Sequence, residues 1–255
     1  MASDADRVVE LRSLLHGAAV AAAGYLDADV WEPAAGSEGA AEVANGEVGA
    51  GDPWGEIPVR TAHAFTHALL DAALGHVSGL TLHYASKPAP MAPTTVARSV
   101  FETAGIAWWL MEPGIEARSR VARVTSERLR SAREAAKAIR HLPASVNPLD
   151  YSESEADVIA YAAHLGLTAA AGDKRIDGQE RPNSTDLITS LFVTDSALDR
   201  DQAQTVYPVY SGVAHGLLYG IMSSCARTPL EEHCVSSGRP IRRSSTQSCH
   251  TRLRR

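Results

Sequence analysis

The stretch PTTVARSVFETAGIAWWLME, residues 93–112, is apolar on nearly every face at helical spacing. Such a helix has no side to offer to water, so it must sit centrally with other helices packed around it. The rest of the chain supplies those helices. Val8, Leu11, Leu15, Ala18 and Ala22 recur at helical spacing within residues 4–27, and a second helix is expected from Pro58 to Tyr84, halted by SKPAPMAP. A further helix spans 115–142 and ends before Pro143, with shorter ones at 153–165 and 184–193. GLTAAAGDKRIDGQERP reads as loop, and the last helix covers 198–223 with a restart at Pro208, where proline is favoured as the first helical residue. No alternating strand pattern and no internal repeat occurs. The fold class expected is all-α, a helical bundle of about six to seven helices.

Charge divides the chain into three parts. Residues 1–57 comprise the first helix and an acidic, flexible loop, since 28–57 carry acids and no Lys or Arg. Residues 58–224 form the helical core. Residues 225–255 form a basic tail expected to be disordered: from Arg227 onward seven Arg face only Glu231 and Glu232. The net charge of −6 hides a body at −11 and a tail at +5. An acidic body matches long nucleic-acid tracts poorly. Nothing approaches the roughly 18 apolar residues of a membrane span, and the start, MASDADRVVELRSLL, is acidic where a signal peptide is basic. Cys225, Cys234 and Cys249 make neither a disulfide framework nor CxxC pairs. A cytoplasmic protein without a membrane partner is the expectation.

Charges also stand where apolar residues should. On the central helix, Arg98 and Glu102 lie one turn apart, and a buried charge is costly unless paired. Arg before Glu is the weaker order for a pair at i and i+4, so Glu102 should share an arginine from another helix. In helix 115–142, Ile115, Ala117, Val121, Val124, Leu129, Ala132, Ala136 and Ile139 define the apolar side, while Arg120, Arg123, Glu127, Arg130, Glu134 and Lys137 define a solvated face. Arg118 and Arg128 project from the apolar side and are the candidates to meet Glu102. Either these charges form a structural network that sets helix register, or they form an anion-binding pocket of arginines tuned by Glu102.

The last helix holds YPVYSGVAHGLLYG, residues 207–220. Val209, Tyr210, Val213, Leu217 and Ile221 form an apolar stripe beside Gly212, Gly216 and Gly220. Each glycine costs a helix about 1 kcal/mol relative to alanine, so three in register imply close approach of another backbone, within the fold or across a dimer. Ser211 and His215, one turn apart, flank that stripe and are placed to hydrogen-bond.

ARSVFETAGIAWWLMEP, the arginine-rich helix after it and YPVYSGVAHG together resemble a group of bacterial, actinobacterial-type all-helical proteins distantly related to the HEPN superfamily. The likeness spans about residues 60–223. It implies a helical bundle, often dimeric, with the late histidine at the subunit interface. In nuclease members of that superfamily an Arg and a His, spaced R-x(4–6)-H, cleave RNA without metal. Imidazole would move the 2′-hydroxyl proton and guanidinium would stabilise the phosphorane. His215 matches the histidine, but Tyr210 and Ser211 stand where the Arg-Asn pair belongs, so the guanidinium would have to come from Arg98, Arg118 or Arg128. Literal spacing is no guide, since R-x6-H also occurs at Arg60 to His67 and at Arg243 to His250.

His63, His67 and Asp71 share one face of the second helix and read as solvated residues rather than metal ligands. No GxGxxG, Walker loop or nucleophile elbow is present, so neither metal nor nucleotide cofactor is expected. The candidate catalytic residues are His215, Ser211, Arg98 and Glu102, and the candidate binding residues are Arg118, Arg128, Tyr207 and Tyr210. The function expected is a non-catalytic interaction or small-anion-binding module, a homodimer through residues 208–220. The alternative is a divergent metal-independent ribonuclease of toxin or phage-defence type with RNA as its partner.

Overall fold

A computed structural model describes residues 4–26, 33–46, 56–85, 92–139, 154–195, 198–215 and 217. Among them lie eight helices and no strand: α1 (Asp4–Leu26), α2 (Glu38–Asn45), α3 (Glu56–Ala85), α4 (Ala92–Leu110), α5 (Ala117–Ile139), α6 (Glu155–His164), α7 (Ser184–Asp195) and α8 (Arg200–Ala214). The protein is all-α. No helix of the described residues is long and apolar enough to cross a membrane. Gly216, Gly220, Ile221 and the basic tail lie outside the described residues, as does most of the acidic stretch before α3.

α4 occupies the centre that its all-round apolarity demands, packed against α3, α5, α7 and α8. Trp109 and Leu110 at its end join Val59 of α3, Val121 and Leu129 of α5, Val158 of α6 and Leu187 of α7 in one buried cluster. Each large side chain buried this way contributes about 1.5–3 kcal/mol. Gly105 sets the spacing of α4 and α7: a Cβ there would stand 3.3 Å from the Leu187 Cβ and 3.6 Å from its carbonyl carbon.

The expected loop 28–57 contains a helix. Ser37 caps α2 by accepting the Ala40 N–H at 3.1 Å, and Gly46 closes it in the left-handed conformation, its N–H donating to the carbonyls of Glu42 and Val43. Val43 is buried. An acid-rich segment folds here because Glu42 docks on an arginine of α5 rather than facing water.

That docking corrects the reading of α5. Its apolar side is as expected at Val121, Val124, Leu129 and Ala132, although Ala136 is exposed. The opposite side is solvated only at Arg130, Glu134 and Lys137. Arg120 is buried beneath α2 and bonds Glu42. Arg123 and Glu127 lie under the segment after α6, where Arg123 donates to Gln179 and Glu127 accepts from Arg181. A helical wheel separates apolar from polar residues, but it does not show which polar residues a neighbouring segment will cover.

Residues 165–183 form a fold-anchored loop. Ile176 is fully buried, and it exchanges main-chain hydrogen bonds with Gln179 at 3.0 and 2.8 Å. Between them Asp177 (φ +50°) and Gly178 (φ +76°) are both left-handed, the conformation of a type I′ turn.

α8 is continuous through Pro208, so the expected restart there does not occur. Asp199 and Gln202 form a reciprocal capping box at 2.8 and 3.2 Å, which starts the helix two turns earlier. Proline has no N–H for the carbonyl of Gln204, a cost offset by the burial of Ala203 before it and Val213 after it. Val209 and Leu217 of the expected apolar stripe are exposed, whereas Val213 is buried.

Candidate functional site

Where α8 crosses α4, Arg98 gathers the polar side chains of both. Its Nε and Nη2 each donate to Glu102 Oε1 at 3.0 Å. Nη2 also donates to the Tyr207 hydroxyl at 3.2 Å, and that hydroxyl donates to Glu102 Oε1 at 2.7 Å. Nη1 lies 2.9 Å from His215 Nε2. A guanidinium has only donors, so Nε2 accepts and the ring proton resides on Nδ1. The guanidinium also lies over the Tyr207 ring, 5.5 Å from its centroid.

Local sequence explains the placement. Arg98 and Glu102 are i and i+4 on α4 and reach one another along its surface. Tyr207 and His215 lie eight residues apart, about two turns of α8, on the face turned toward α4. His215 is the exposed C-cap of that helix, its N–H donating to the Ser211 carbonyl at 3.0 Å. Burial disfavours the charge of Arg98, but the hydrogen bonds and charge of Glu102, with Tyr207, outweigh it and raise the guanidinium above its ordinary value. One cation, one carboxylate and a ring whose Nε2 accepts leave the cluster close to electrical balance.

The expected partners of Glu102 lie elsewhere. Arg118 donates to Asp177 at 2.7 and 3.2 Å and to the Gly166 carbonyl at 2.8 Å, which ties the loop after α6 onto α5. Arg128 stacks over Tyr161 of α6, 4.4 Å from the ring centroid. Glu102 is therefore satisfied by Arg98 of its own helix, in the order thought weaker, because the Tyr207 hydroxyl from α8 braces the shared oxygen. Tyr210 is an apolar contact, edge-on to Phe101 at 5.2 Å. Ser211 meets His215 through its main chain.

A second polar cluster has no counterpart in the sequence reading. His63, expected to be solvated, is 1% exposed. Its Nε2 donates to Glu42 Oε2 at 2.8 Å, while Arg120 Nε reaches the same carboxylate at 3.1 and 3.3 Å. Arg120 Nη1 donates onward to the Leu110 carbonyl at 2.9 Å. Burial by itself would push the Glu42 carboxyl up; the His63 hydrogen bond and Arg120 together outweigh it and hold Glu42 below the ordinary carboxylate value. The available signal was SEGAAEVANG, with a capping Ser ahead of a short helix and Gly behind it. His67 is half-buried and Asp71 exposed. Among the described residues no three His, Cys, Asp or Glu side chains converge on a possible metal position.

Two kinds of chemistry are thus laid out. The Arg98 cluster could take up a proton at His215 Nε2 once Arg98 Nη1 lets go of that nitrogen, or it can simply join two helices. The Glu42 cluster is enclosed and joins three. No family model matches the chain, and no curated protein or solved structure matches it either.

Proposed function

We propose that this chain is a non-catalytic helical interaction module, working in the cytoplasm as a homodimer through residues 208–220, in which the Arg98 cluster latches the last helix to the central one. One observation carries this reading. Of the five N–H donors of Arg98, four are committed to Glu102, Tyr207 and His215. A guanidinium so engaged, with its charge balanced by Glu102, has little left for a phosphorane or a small anion. The exposed Val209 and Leu217, at 37% and 47%, give the same stretch an apolar outer face suited to a second copy. The HEPN-like resemblance implies the same dimer.

Light scattering on wild type beside Val209→Asp and Leu217→Asp tests the assembly. The wild type should run as a dimer and both variants as folded monomers. A monomeric wild type overturns the dimer.

The ribonuclease reading is favoured by a different observation: His215 is exposed, with Nε2 as acceptor beside Arg98 Nη1 at 2.9 Å. That nitrogen could take a 2′-hydroxyl proton once Nη1 releases its lone pair and the guanidinium turns to the phosphate. End-labelled RNA incubated in excess EDTA with wild type and His215→Ala separates the two. Equal, negligible cleavage is expected; cleavage by wild type that disappears in the variant replaces the first reading.

A further inference from the structure

A concentration of positive charge lies away from the Arg98 cluster. The outer face of α5, the end of the loop after α6 and the start of α7 enclose a cleft of about 750 Å³. Arg130, Arg133 and Lys137 line it from α5, and Lys174 and Arg181 from the loop, against only two acids, Glu134 and Glu180. In a chain of net charge −6 this grouping opposes the overall field.

The cations are not equally available. Arg133 is held by Glu155 at 2.6 Å, Arg181 by Glu127 at 2.9 Å and Lys137 by Glu134 at 2.7 Å. Arg130 and Lys174 have no ion pair among the described residues. Arg181 keeps a buried Nε without a hydrogen-bond partner, an unsatisfied donor in a residue of the cleft wall. α7 begins in the same cleft at Ser184, capped by Asn183, whose Oδ1 accepts the Asp186 N–H at 3.0 Å. The first amides of a helix carry partial positive charge and favour an anion, although the Asp186 carboxylate in the first turn of α7, held by Asn183 Nδ2 at 2.6 Å, already balances part of it. The Lys137–Glu134 pair is largely exposed, and such pairs hold weakly enough for an anion to compete.

From this we infer a binding site for an organic phosphate with a hydroxyl-rich body, of the sugar-phosphate class. Arg130, Lys174 and the start of α7 receive the phosphate. The remaining lining fits the body: Glu134 and Glu180 accept hydroxyl hydrogen bonds, and no aromatic side chain is present among the lining residues on which a base could stack. The volume suits a small organic ligand rather than a lone phosphate ion. The site is independent of the function proposed above for α8.

Isothermal titration of the full chain with glucose 6-phosphate, glucose and AMP, repeated on the Arg130→Ala/Lys174→Ala double variant, tests this. Neither substituted side chain carries an ion pair in the described fold, so the thermal midpoint of the variant should match wild type and serves as the folding control. Glucose 6-phosphate should bind saturably and weaken with salt, and the double variant should bind it at least about tenfold more weakly, as expected on losing charge-assisted hydrogen bonds. Absence of saturable glucose 6-phosphate binding overturns the site. So does equal affinity for glucose, or binding indifferent to the double substitution in a variant that folds. AMP binding tighter than glucose 6-phosphate overturns the assignment of a hydroxyl-rich body.

Discussion

Arg98 and His215 stand 117 positions apart in sequence and meet at 2.9 Å, Nη1 to Nε2. The contact closes the last helix onto the central one. It also fixes the ring tautomer, since the guanidinium can only donate. The same arginine holds Glu102 and the Tyr207 hydroxyl, so four side chains from two helices act as one unit.

Removing the hub should therefore cost more than removing the tip. Arg98→Leu leaves the Glu102 carboxylate partly enclosed with only Tyr207 beside it, and should destabilise by about 1–3 kcal/mol in urea unfolding. Tyr207→Phe should cost about 1 kcal/mol, and His215→Ala less than either. A double-mutant cycle between Arg98 and His215 should return a coupling of about 0.5–1 kcal/mol. Zero coupling would separate the two residues energetically and undo the latch.

Acid should loosen α2. In the fold the Glu42 carboxyl lies below its ordinary value, so the stabilisation is complete above the unfolded carboxylate value and is lost as pH falls through the folded one. Melting from pH 7 to 3 should show this loss. In Glu42→Gln the plateau should drop by about 3–5 kcal/mol, the cost of breaking a buried pair, and the Glu42 share of the acid slope should vanish. Asp177, Glu155 and Asp157 are also held low by hydrogen bonds, so a residual slope remains. An unchanged slope in the variant refutes the assignment.

At Gly105 two effects oppose each other. Alanine there gains about 1 kcal/mol of helix propensity, but its Cβ would meet Leu187 at 3.3 Å, so α7 must give by a few tenths of an ångström. Gly105→Ala should be close to neutral. Gly105→Leu should overpack the α4–α7 contact and destabilise by about 1–3 kcal/mol or more, read as a lower urea midpoint. A neutral leucine variant would contradict the close packing of these helices.

The turn at Asp177 should respond to its side chain more than to its backbone. Asparagine tolerates the left-handed conformation, so Asp177→Asn keeps the turn but loses the charge that holds Arg118. Amide exchange in residues 166–179 should quicken while α3 and α4 keep their protection. Asp177→Ala should add strain at φ +50° and be the more damaging of the two.

Helix existence was legible because it rests on local pattern. The apolar stretch at 93–112 identifies α4 as central, and the periodicity of α3 and α5 places both helices nearly at their observed bounds. Where local signals conflict, tertiary contacts decide. SEGAAEVANG carried a cap and a closing glycine, but its acidity suggested a loop until an arginine from α5 was there to receive Glu42. Pro208 looked like a start because the stronger capping box at Asp199 lay in a segment read as already helical.

For the candidate site, spacing marks Arg98 and Glu102 as charges in a costly position and His215 as a polar group beside the glycine stripe, with Tyr207 among the candidate binding residues. Only the tertiary structure decided that these four meet, that Arg118 and Arg128 serve Asp177 and Tyr161 instead, and that Arg120 and His63 are enclosed. The reason is physical. Helix formation depends on neighbours within one or two turns, which the sequence carries directly. The partner of a buried charge depends on which helices approach one another and at what angle, and one residue's shift along α8 would have put a different side chain against Arg98.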